Sequence, residues 1–197
     1  EREAAVSALL ERFTFNVDPT ITDGEEKDEV FRWVSGVGEA GVAPIREAMA
    51  HHESISWPLK CLEALVSQER LNHEMIALLS KMDTEYERDP QRKLQLLGYL
   101  EQHRDPTVVE AVSPFLMDMN ESARFHAVRT VLAQENASDA VDALAEALTE
   151  EDSVRVKVLV LEAMAEQGWS LGAHAGAVEL PDGWSKDKKG VPRKSKR

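Results

Sequence analysis

The chain has 197 residues, 43% of them hydrophobic but only 6% aromatic, so its core must be built from aliphatic side chains packed at close range. Its net charge of −13 is uneven: from Pro181 onward seven basic side chains face two acids, a local +5, which leaves −18 on the remainder. Such an acidic body repels a phosphate backbone and argues against nucleic acid as a partner; no apolar run approaches the roughly 18 residues of a membrane-spanning helix; and Cys61, the single cysteine, excludes an internal disulfide.

In chain order, Glu1 to Phe13 reads as a helix, with Ala5, Leu9 and Phe13 beside Val6 and Leu10 at helical spacing. Pro19 ends that segment. A second helix starts near Asp23, carries Val30, Phe31 and Val34, and stops at Gly36, Gly38 and Gly41. These glycines imitate a phosphate-binding loop, but they follow a helix rather than a strand and read as a turn. Gly41 to His51 is a short helix with Pro44 in its first turn, and the next opens at Ser56 with Pro58 in the same place. Leu71 to Lys81 follows, then a polar connection from Asp83 to Asp89, then a helix begun by Pro90 with Leu94, Leu97 and Leu100 as its stripe.

Asp105-Pro106 combines an Asp cap with Pro at the first helical position. The helix it opens shows Val108, Val109, Val112, Phe115 and Leu116, and Pro114 should kink it. Asn120 caps a partner carrying Phe125, Val128, Val131 and Leu132; Ser138-Asp139 starts another with Leu144 and Leu148; Asp152 is expected to cap the last. In that last helix the valines at 154, 156, 158 and 160 alternate as in a strand, but Leu161 to Ala165 continue with good helix formers, and helix is the reading adopted. A helix so apolar all round needs cover on more than one side. Residues 169–184, with Trp169, Leu171, Leu180 and Trp184, are expected to fold back as an irregular cap, and residues 185–197 to form a disordered basic tail or an arm docking on an acidic surface.

Two segments repeat. Glu121-Ser122-Ala123-Arg124 and Asp152-Ser153-Val154-Arg155 each set an Arg two residues after a Ser, 31 residues apart, and run on into apolar side chains. Stepping back from Arg124 reaches Arg92, Lys60 and Arg32, so a basic residue recurs at nearly the same phase of five segments. A period in this range marks stacked helical pairs. Each cation can reach an acid or a carbonyl in the neighbouring unit, which makes Arg32, Lys60, Arg92, Arg124 and Arg155 candidates for a structural ladder.

The pairs resemble HEAT repeats, in particular the short bacterial HEAT-like units first noted in phycobilin lyases, and the resemblance is best over residues 105–167. It implies an all-α fold: a right-handed α-solenoid of about five antiparallel helix pairs over residues 1–168. It also implies a scaffold or adaptor that binds another protein along a concave face. Arg92, Lys93, Arg124, Arg129, Arg155 and Lys157 are the basic candidates for that face. The alternatives are a HEAT-like enzyme, either a chromophore lyase or an iron hydroxylase, and a weak nucleic-acid binder using the basic stripe and tail. For iron the chain offers only His52-Glu53 and His73-Glu74, while His103, His126 and His174 lack the Glu. The expectation is a non-catalytic cytoplasmic protein, monomeric or weakly self-associating, with no cofactor and no metal.

Overall fold

Helices form wherever apolar residues recur at three- and four-residue spacing. The computed structural model describes residues 1–195 and divides into two units, residues 1–81 and 82–197. Among the described residues there are ten α-helices and one two-stranded sheet, and no helix is long and apolar enough to cross a membrane.

The first unit contains α1 (Arg2–Leu10), α2 (Thr20–Ser35), α3 (Val42–His51), α4 (Ser56–Leu65) and α5 (Gln68–Leu79). α1 packs on α3, α2 on α4, and α3 on α4. Val34, Ile45, Met49, Cys61, Leu62 and Leu79 are fully buried between them. α2 begins three residues earlier than Asp23 suggested, directly after a cis Asp18–Pro19 peptide. Asp23 then lies in the first turn, where it accepts from Val17 N–H and pairs with Lys27 and Arg12. Of the three glycines expected to stop α2, Gly38 takes the left-handed conformation (φ 68°). Gly41 instead lets Val37 and Leu65 approach: a Cβ there would lie 2.8 and 2.9 Å from their methyl carbons.

The second unit contains α6 (Gln91–Gln102), α7 (Val108–Val112), α8 (Glu121–Ala133), α9 (Val141–Glu150) and α10 (Val154–Gln167), followed by β1 (Trp184–Lys186) and β2 (Pro192–Lys194). The longer helices pack on alternate partners, α6 on α8 and α8 on α10, and α7 packs on α8. α7 is not a kinked long helix. It ends at Val112, and Ser113–Met117 tightens into a 3-10 turn, because Pro114 has no N–H to continue the ladder. α10 is helical throughout. Its cap is Ser153, whose Oγ accepts from Val156 N–H, rather than Asp152, whose carboxylate is drawn to Arg124. Gly168, at φ 70°, closes it.

The expected disordered tail is corrected for residues 185–195. β1 and β2 pair antiparallel with Ser185 opposite Arg193, and β2 packs on α10. Asp187 organises the turn by accepting from Lys189 and Val191 N–H, which, with Arg193, holds its carboxyl below the usual range. Leu171 N–H donates to Gly190 O at 3.0 Å, and Leu171, Val178 and Val191 are buried. The 3-10 turn Gly172–Gly176 packs on α9. Lys194 Nζ reaches Glu162 at 2.7 Å, so the basic arm docks on the chain's own acidic surface. Lys196 and Arg197 lie outside the described residues.

Candidate functional site

Two of the repeated cations of the second unit, Arg124 and Arg155, bind acids in neighbouring segments. Arg124 sits in the first turn of α8 because Asn120 caps that helix through Ser122 and Ala123 N–H. From there its guanidinium donates to both oxygens of Glu151 at 2.8 Å and to Asp118 O at 2.9 Å. Glu151 holds the guanidinium above even its usual high pKa. In the opposite direction along the chain, Arg155 donates to both oxygens of Glu121 at 3.0 and 2.8 Å, and its guanidinium lies 4.0 Å over the Phe125 ring. These two bidentate pairs span 27 and 34 residues.

Lys93 is corrected as a surface candidate. It is 1% exposed, and its ammonium donates to Asp118 Oδ2 at 2.8 Å with Glu87 at 3.5 Å. The reason is helical phase: Lys93, Leu96, Leu97 and Leu100 share the inward face of α6. Arg129 pairs with Glu101, Arg92 is half-buried, and Lys157 is half-exposed on α10. In the first unit, Lys60 lies 3.4 Å from Asp28 and over the Phe31 and Trp57 rings, while Arg32 is exposed and donates within α2 to Asp28 O. The basic stripe is thus largely consumed by the chain's own acids and carbonyls.

The sequence reading did not find the open groove between the C-terminal ends of α8 and α10. It has a volume of about 550 Å³. Leu132 of α8 and Leu159 and Ala163 of α10 form its apolar walls with Trp169, all half-buried. Glu135, Glu162 and Glu166 stand on it, exposed. Leu159, Glu162, Ala163 and Glu166 recur at helical spacing, so they share one face of α10, and that spacing was the available signal. A second groove of about 410 Å³, lined by Arg104, Asp105, Pro106 and Asn136, shares Gln134 and Glu135 with the first. Gln134 fixes the junction. Its buried amide donates to Leu100, His103 and Thr130 carbonyls and accepts from Asp105 N–H. Of the expected cap residues, Leu171 is buried and Trp169, Leu180 and Trp184 are half-buried.

The His-Glu pairs do not converge. His73 is exposed, Glu74 pairs with Arg46, and His52 lies 3.9 Å from Glu11. Among the described residues no group of three or more His, Cys, Asp or Glu side chains stands close enough to hold a metal ion. Comparison with protein-family models, curated proteins and solved structures found no match to this chain.

Proposed function

We propose that this chain is a non-catalytic protein-interaction module, a HEAT-like right-handed array of helix pairs that holds a partner protein on its surface. The open groove between α8 and α10 carries the reading: it joins an apolar floor to a polar rim, the anatomy of a protein-binding patch rather than of an enclosed reaction site. The alternate-helix packing of α6, α8 and α10 supports the repeat architecture, as do the bidentate Arg–Glu pairs between segments. With Lys93 buried and Arg124, Arg129 and Arg155 paired, the basic stripe serves as the ladder between repeats.

Chemical cross-linking of the native protein in its own cells, read by mass spectrometry, tests this. The expected result is a reproducible partner protein cross-linked near residues 132–169. A protein that recovers no reproducible partner, or that purifies with stoichiometric iron, overturns the proposal.

A further inference from the structure

The groove's charge selects its occupant. Glu135, Glu162 and Glu166 all stand on it, and no basic side chain lines it. It also lies at the C-terminal ends of α8 and α10, where the helix dipole carries partial negative charge. Neither helix places a basic residue in its last turn to offset that charge. Two of these carboxylates already meet a cation of the chain at the rim: Lys194 of the hairpin sits on Glu162 at 2.7 Å, and Arg104 lies 3.6 Å from Glu135. The chain itself therefore shows that a lysine is accepted at this rim.

Resting on the interaction reading above, we propose that this groove binds a basic, extended segment of a partner protein. Its arginine or lysine side chains meet Glu135, Glu162 and Glu166, and an aliphatic side chain between them lies on Leu159, Ala163 and Trp169. An extended segment fits because the two grooves are neighbours, with Gln134 and Glu135 lining both. At its far end Arg104 lies 3.6 Å from Glu135, an exposed pair that an incoming cation displaces at little cost. Acidic peptides and phosphate backbones meet the same carboxylates and are repelled. The rival cation source is a second copy of this chain, whose hairpin exposes Lys188 and Lys189.

The test uses the full chain and a short labelled peptide of alternating Arg and Leu, followed by fluorescence anisotropy, with an alternating Glu–Leu peptide as control. The Arg–Leu peptide should bind saturably and the Glu–Leu peptide should not. The triple variant E135Q/E162Q/E166Q changes only exposed side chains and should keep the wild-type helical circular dichroism, while the hairpin alone is loosened by loss of the Lys194–Glu162 pair. It should bind the Arg–Leu peptide about tenfold more weakly. Raising salt from about 50 to about 500 mM should weaken wild-type binding comparably. Equal affinity of wild type and variant, equal affinity for both peptides, or no saturable binding overturns the proposal. So does sedimentation showing a dimer of the chain that the triple variant abolishes, since the groove would then belong to a second copy. A natural partner cross-linked equally by wild type and variant removes this groove and leaves the interaction reading standing. No partner with either removes the reading itself.

Discussion

Lys93 and Asp118 are each 1% exposed and bonded at 2.8 Å, and that geometry predicts a large loss from a small change. Lys93→Met keeps an unbranched side chain of similar length on the core face of α6 but strands the Asp118 carboxylate. Among the described residues that carboxylate keeps the Asn120 N–H at 2.8 Å. Removing one member of a buried pair costs about 3–5 kcal/mol, against about 0–1 kcal/mol for a surface pair, so the two cases do not overlap. Asp118→Asn should cost less, about 2–3 kcal/mol, because Glu87 at 3.5 Å still faces the ammonium. The double variant buries no charge and should lose less than the sum, leaving a coupling of at least about 2 kcal/mol. Urea unfolding gives the global values, and hydrogen exchange at α6 and α8 amides gives local ones where the two units melt separately. A loss under about 1 kcal/mol for Lys93→Met would mean that water reaches this pair, and the argument for its burial would fail.

Four further outcomes are expected. Asp23 is held at about 2, first by its bond to Lys27 and then by Arg12. A depressed carboxyl gives stability present above the unfolded value of 3.8 and lost as pH falls through about 2; an NMR titration midpoint near 4 would refute the pairing. Burial raises the Cys61 thiol to about 12 from 9.0, so labelling by a thiol reagent near pH 8 should be about a thousandfold slower than in the unfolded chain. Its contribution to stability is complete below 9.0 and is lost as pH rises through about 12. Gly41→Ala meets Val37 and Leu65 at 2.8 and 2.9 Å and should cost about 1–3 kcal/mol in urea unfolding; a neutral change would show that the contact yields. Deleting residues 169–197 uncovers the part of α10 under β2 and should lower the melting temperature by at least about 5 °C in calorimetry; an unchanged value would mean the segment covers nothing.

What the sequence revealed was what local phase decides. The positions of α3, α4, α8 and α10 follow from apolar spacing, and the Asn120 cap from side-chain chemistry that acts within three residues. Where two residues compete for one role, the reading went astray: Ser153 and Asp152 can both cap α10, and the presence of Arg124 in space decides which is free to do so. Lys93 was legible but misread. Its charge suggested a surface, while its phase with Leu96, Leu97 and Leu100 already placed it inward. In the tail, basic composition outweighed the Asp187-to-Gly190 turn signal, although an Asp bonding backbone N–H two residues on is ordinary turn chemistry. The groove was out of reach, because Leu132 and Leu159 face each other only once α8 lies against α10.

The charge asymmetry of the sequence acquires a physical reason in the second unit. In the row α6, α8, α10, the next place is taken by β2, and beside α9 it is taken by the turn Gly172–Gly176. A short basic segment therefore packs on α10, and the turn before it packs on α9. A helix of 14 residues is about 21 Å long, whereas a strand of three residues spans about 10 Å, so the hairpin covers only part of α10. Lys194 fixes it at Glu162, and Val154, eight residues or about 12 Å toward the start of α10, remains 63% exposed. Apolar area alone gives so small a cover a weak hold. Opposite charge adds to it at Lys194–Glu162, and the Asp187–Arg193 pair stiffens the hairpin itself. On this view Lys194 of the basic tail is matched to the acidity of α10, and neutralising Glu162 should loosen the cover as well as weaken the groove beside it.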